Sequence, residues 1–114
     1  MEHVRDVAGP YLQRRWAELA AHPLVGEARG LGLLGALELV KSKQPRGWFE
    51  PRGKVGERCR DNAIANGLVM RATRDTMIIA PPLVITPAQI DELVEKAWRT
   101  LDQTLAGLKQ DGWL

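Results

Sequence analysis

The run from Val25 to Val40 places the tightest limit on what this chain can fold into. It is rich in apolar side chains, yet Gly30, Gly32 and Gly35 interrupt it. Each glycine inside a helix costs about 1 kcal/mol relative to alanine, so the run reads as one or two strands. Glycines within strands mark a bulge or the close approach of another backbone. Apolar residues fall on both faces from Leu33 to Leu37, the pattern of a strand covered on both sides.

Elements of other kinds flank this run. From Glu2 to Ala21, Val4, Val7, Ala8, Leu12, Trp16 and Leu19 recur at three- and four-residue spacings and predict an amphipathic helix. Pro10 removes a backbone donor and predicts a kink or restart at Gly9-Pro10. No capping residue precedes Glu2, which suggests a helix cut from something larger. Lys41 to Gly53 reads as a loop, and its Trp48-Phe49 pair must pack on something, a part outside the chain being one candidate. Lys54 to Asn66 reads as a helix with Val55, Cys59, Ala63 and Ile64 inward, stopped by Gly67. Leu68 to Met70 and Met77 to Ala80 read as a hairpin around a polar turn, Arg71 to Thr76. Pro81-Pro82 ends it in an extended segment. Thr86-Pro87-Ala88-Gln89 is a capping box with proline at the first helical position. Ile90, Leu93, Val94, Ala97, Leu101, Leu105 and Leu108 follow it at helical spacing. The order predicts an α+β fold, a small and mainly antiparallel sheet with helices packed on one face.

Composition excludes several classes. A chain of 114 residues carries one modest core. No apolar stretch approaches the length of a membrane span, and no secretory signal follows Met1. Sixteen basic residues against 14 acidic ones leave a net charge of +2 with no long run of one sign, so neither nucleic acid nor a membrane is an expected partner. Arg46, Trp48, Phe49 and Arg52 are the one group of basic and aromatic residues, and they lie in a loop. Cys59 with His3 and His22 cannot build a disulfide framework or a structural zinc site. The lone thiol points to a reducing compartment, and the expected location is cytoplasmic.

The chemistry-bearing residues are few. Ser42 is the single serine, so there is no nucleophile elbow. Gly30-x-Gly32-x-x-Gly35 fits a dinucleotide fingerprint formally but opens no helix, and close-packed strand glycines are the better reading. Arg71 sits where an apolar strand meets a turn. A guanidinium there offers a planar fork of donors for a carboxylate or phosphate, and a solvated turn arginine is the alternative. Arg29 poses the same question, with an ion pair to Glu27 or Glu38 as its structural alternative.

Four passages carry a family resemblance. His22-Pro23-Leu24-Val25-Gly26, followed by Arg29-Gly30-Leu31-Gly32-Leu33, resembles a passage of the class III aminotransferases. Arg58-Cys59-x-x-Asn62-x-x-x-Asn66-Gly67-Leu68-Val69-Met70-Arg71 is similar to the helix and strand that follow in that family. Asp75 through Pro81-Pro82-Leu83-Val84-Ile85-Thr86 resembles its next strand, and Ile90-Asp91-Glu92-Leu93 its final helix. The resemblance covers essentially the whole chain, with Gly9-Pro10 and Trp48-Phe49 less typical.

That resemblance implies the C-terminal small domain of a pyridoxal-phosphate enzyme over residues 1–114, without the large domain that holds the cofactor. The whole enzyme would move nitrogen from an ω-amino acid or amine to a keto acid such as pyruvate, as a homodimer. This chain alone would be inactive and bind no cofactor, since Lys41, Lys43, Lys54, Lys96 and Lys109 do not resemble the family's catalytic lysine context. By position, Arg71 matches the arginine that grips the substrate carboxylate; Arg29, Gly30 and Gly32 match structural positions. The competing reading is a free-standing α+β module that binds a small ligand or a protein. A severed domain should leave an apolar face exposed, and an autonomous module should not.

Overall fold

The longest element is the best signalled. Helix α3 runs Pro87–Gln110, and its capping box is formed in full: Thr86 Oγ1 accepts the Gln89 N–H at 3.2 Å, while Gln89 Oε1 accepts the Thr86 N–H at 2.9 Å. Its buried face includes Ile90, Leu93, Val94, Ala97, Leu101 and Leu108. This computed structural model describes residues 7–43, 46–50, 53–81 and 85–113. The expected helix start at Glu2, Val4, Arg52 and the Pro82–Val84 stretch lie outside the described residues.

The remaining elements are α1 (Gly9–Ala17), a 3₁₀ turn (Glu18–Ala21), β1 (Val25–Leu31), β2 (Leu34–Leu39), β3 (Ser42–Lys43), β4 (Arg46–Gly47), α2 (Lys54–Ala65), β5 (Arg71–Thr73) and β6 (Thr76–Ile79). The main sheet has the order β1-β2-β6-β5 and is antiparallel throughout. Helix α3 packs on α1 and α2, and these two lie on the sheet, α1 against β1 and α2 against β5 and β6, which is the expected α+β layer. Among the described residues, no helix is long and apolar enough to cross a membrane.

The glycine run folds as two strands because helix α1 presses against them. A Cβ at Gly35 would stand 2.7 Å from the Trp16 ring, and one at Gly30 2.3 Å from the Leu34 carbonyl oxygen. Trp16 Nε1 then reaches the Ala36 carbonyl at 3.2 Å, and Gln13 Nε2 reaches those of Gly32 and Leu34 at 2.9 and 3.1 Å. Gly32 takes φ +58 in the two-residue turn between Leu31 and Leu34. These glycines therefore serve packing and a turn.

His22 ties the chain leaving α1 to α3. It is fully buried, and its Nδ1 accepts the Leu24 N–H at 3.1 Å. Its proton is thereby placed on Nε2, which donates to Asp102 Oδ1 at 2.9 Å. Helices α2 and α3 are joined by polar pairs around a buried Cys59. Asn62 Nδ2 donates to Thr104 Oγ1 and Asn66 Nδ2 to Thr100 Oγ1, both at 3.0 Å.

Several local expectations are corrected. The restart expected at Gly9-Pro10 is present, with Pro10 in the first turn of α1 after a wider helical turn at Val7 and Ala8, but Val7 is 45% exposed instead of inward. The strand expected at Leu68 to Met70 begins at Arg71, and the turn narrows to Arg74-Asp75. Ile64, expected inward, is 58% exposed, because Val55, Cys59 and Ala63 already fill the α2 stripe. Phe49 needs no outside part: it is 1% exposed and meets Trp113 edge to face at 6.4 Å. Leu34, expected to be covered, is 54% exposed, because the helices cover only one face of the sheet.

Candidate substrate-anchoring face

The uncovered face of the sheet is ordered in rows. Opposed residues of an antiparallel pair point to the same face. One row runs Arg29, Ala36, Ile78, Arg71 across all four strands. With strands about 4.8 Å apart, its two arginines stand about 14 Å apart at the backbone. The row beside it runs Glu27, Glu38, Thr76, Thr73. On the other side lie Leu31, which is 80% exposed, and Leu34. Val69, 79% exposed, lies two residues before Arg71.

The two arginines differ in their partners. Arg29 Nη1 lies 3.1 Å from Glu27 Oε2 and 3.4 Å from Glu38 Oε2, so it bridges two carboxylates that oppose each other directly. That is the structural role the sequence left open for it. The Arg71 side chain is exposed and makes no hydrogen bond or ion pair with another described residue. It opens β5, an edge strand of three residues bonded, among the described residues, only to β6. Its guanidinium is a fixed positive charge with five donors to offer.

The opposite end of β5 is clamped. Asp75 is 1% exposed, and its Oδ1 accepts N–H groups from Gly56 at 2.8 Å and Gly53 at 3.1 Å. Gly53 occupies the N-cap of α2, with φ +100 and no side chain to cap the helix. Asp75 supplies that cap from the hairpin turn, where a carboxylate also faces the positive end of the helix dipole. In the sequence Asp75 marks the start of a family-like strand and has no role of its own. The readable signal is α2 itself, a helix with no capping residue at its own start.

The lysines have another character. Lys41, Lys43, Lys54 and Lys109 are exposed, and Lys96 pairs with Glu92 at 3.0 Å. A lysine that works as a nucleophile needs a desolvated site or a neighbouring cation to lower its proton affinity. Cys59 is equally unsuited to attack, because burial pushes its thiol from 9.0 up to about 11.

No family model matches the chain. Similar curated proteins do. The chain is 58% identical over 108 residues to a putrescine–pyruvate aminotransferase of Pseudomonas aeruginosa, covering 95% of the chain and 24% of that protein. It is 35% identical over 112 residues to a mitochondrial gamma-aminobutyrate transaminase of Solanum lycopersicum, covering 96% and 22%. Among solved structures, a transaminase with L-alanine superposes with a TM-score of 0.88 at 40% identity, over 94% of this chain and 25% of that one. The aminotransferase of Vibrio fluvialis in its PMP-bound form gives 0.84 at 34% identity, over 92% and 23%. The chain thus spans about a quarter of the length of the relatives it matches. In sequence and in fold, this chain belongs to the aminotransferases, in the group that contains the ω-transaminases.

Proposed function

We propose that this chain is the C-terminal small domain of a class III, pyridoxal-phosphate-dependent aminotransferase, and that Arg71 anchors the substrate carboxylate. The carrying observation is the contrast between Arg29, held by two carboxylates, and Arg71, exposed on the same row with no partner among the described residues. A planar guanidinium at a strand end can receive a carboxylate through two parallel N–H···O bonds. Its long stem lets it turn aside when an uncharged amine carbon takes that place.

The reaction proposed for the whole protein moves an amino group from an amine or ω-amino acid to a keto acid such as pyruvate. The similarity to a putrescine–pyruvate enzyme supports an amine donor and pyruvate as acceptor. When bound, the cofactor supplies the electron sink of amino transfer. The described lysines of this chain do not fit its attachment, being exposed or ion-paired. The proposal therefore places the cofactor on the remainder of the polypeptide, leaves this chain inactive alone, and assigns it binding and orientation of substrate. The exposed Leu31, Leu34, Val69 and Ile64 favour a domain that packs on that remainder over a free-standing module. A homodimer in the cytoplasm belongs to the same reading.

The test is Arg71→Ala in the full-length enzyme. Loss of one charge-assisted pair should raise the KM for pyruvate roughly tenfold to a hundredfold and spare a monoamine donor. Equal loss on acids and amines would overturn the role of Arg71 and leave it a part of the fold.

A further inference from the structure

The hairpin that carries Arg71 is locked at its tip by contacts that span three elements. Asp75 Oδ1 holds the N–H groups of Gly53 and Gly56, and the Asp75 carbonyl accepts the Leu39 N–H at 2.9 Å. Gly56 must be bare for this, since a Cβ there would stand 2.0 Å from the Arg74 carbonyl oxygen. Arg74 takes φ +54, a left-handed conformation that a non-glycine residue rarely adopts. The tight seat of the turn on α2 holds it there.

Arg71 lies four residues before Asp75, on a strand with one neighbour among the described residues. Its backbone position is set by the ladder to Ile78 and by the clamp at Asp75. An edge strand of three residues has few bonds of its own to resist a shift. A displacement of about 1 Å in a group that orients substrate can cost as much as a hundredfold in rate.

We propose that Asp75 is a positioning residue for Arg71: through the turn clamped on α2, it fixes where the guanidinium is presented and so sets the preference for carboxylate substrates. This inference rests on the reading of Arg71 as the carboxylate anchor. It is tested in the full-length enzyme with Asp75→Ala and Asp75→Asn, each made alone and together with Arg71→Ala. The readouts are kcat/KM for pyruvate and for butylamine as donor, with kcat alongside.

Asp75→Ala should lower kcat/KM for pyruvate about tenfold, with butylamine kept within about twofold. In the Arg71→Ala background that pyruvate penalty should vanish, because the residue it acts through is gone. The same penalty in both backgrounds, or equal loss on pyruvate and butylamine, would overturn the proposal and leave Asp75 a fold-holding residue. Should Asp75→Ala not fold, Asp75→Asn decides. It keeps an acceptor oxygen, so a smaller pyruvate-specific loss that Arg71→Ala abolishes supports the proposal, and no pyruvate-specific loss overturns it. If Arg71→Ala alone leaves the pyruvate-to-butylamine ratio unchanged, the reading of Arg71 itself has failed. If that ratio falls and the Asp75 variants leave it untouched, only the positioning role is lost.

Discussion

Arg29 and Arg71 occupy the two ends of one cross-strand row, with Ala36 and Ile78 between them, yet among the described residues only Arg29 is held by carboxylates. Two identical side chains on one surface thus receive different roles from their neighbours. Glu27 and Glu38 oppose each other directly and would repel without the guanidinium between them. The pair rows near Arg71 supply Thr73 and Thr76, which carry no charge.

This contrast gives the first prediction. Arg29→Ala in the full-length enzyme should leave the pyruvate-to-monoamine ratio of kcat/KM unchanged. Its effect should fall on stability, by about 1 kcal/mol or less, because the ion pairs are half exposed and solvent screens them. Thermal unfolding and steady-state kinetics on the same variant check both halves.

A second prediction separates collision from backbone strain. Gly56→Ala drives a methyl group into the Arg74 carbonyl and should destabilise the chain by about 3 kcal/mol. Gly112→Ala meets open space but imposes φ +81 on an L-residue, so about 1 kcal/mol is expected. Urea unfolding of the two variants should show the larger drop in midpoint for Gly56→Ala.

Cys59 gives a pH-dependent prediction. Its thiol is pushed from 9.0 to about 11 by burial, with a hydrogen bond to Thr104 pulling the other way. A raised folded value means that the unfolded chain loses this proton first. The neutral thiol's contribution is therefore complete below pH 9 and is lost as pH climbs toward 11, by about 2–3 kcal/mol. Cys59→Ala removes this term. The stability difference between wild type and Cys59→Ala should accordingly shift in favour of the variant across that window. A difference that stays flat with pH would contradict the burial of this thiol.

The cap of α3 is a local test of the fold. Thr86→Ala removes the acceptor for the Gln89 N–H and should cost about 1 kcal/mol, read as a lower unfolding midpoint with the helical circular dichroism otherwise kept.

What the sequence made legible follows from the range of the interactions. The α3 cap, the strand character of Val25 to Val40 and the stop at Gly67 depend on neighbours within a few residues, and all three stand in the fold. The face-by-face details depend on distant partners. Phe49 is buried because the end of α3 brings Trp113 over it, and no pattern near Phe49 announces that. Leu34 reads as covered from its apolar neighbours, but the helices lie on the other face. In the candidate site, Arg71 is legible as a guanidinium beside an apolar run, although it opens β5 three residues before the turn instead of standing where a strand ends. Its alignment with Arg29 required the register of three strand pairs, and Asp75 required knowing that the hairpin turn meets the start of α2.

The central claim is that Arg71 recognises a carboxylate. It is tested most directly by comparing two acceptors that differ only in that group. Pyruvate and acetaldehyde would be assayed in the full-length enzyme, wild type against Arg71→Ala, with one monoamine donor. The expected result is a fall of roughly tenfold to a hundredfold in the ratio of kcat/KM for pyruvate to that for acetaldehyde, through loss of pyruvate alone. A ratio unchanged by the substitution would contradict the claim, because the side chain would then make no distinction that depends on the carboxylate.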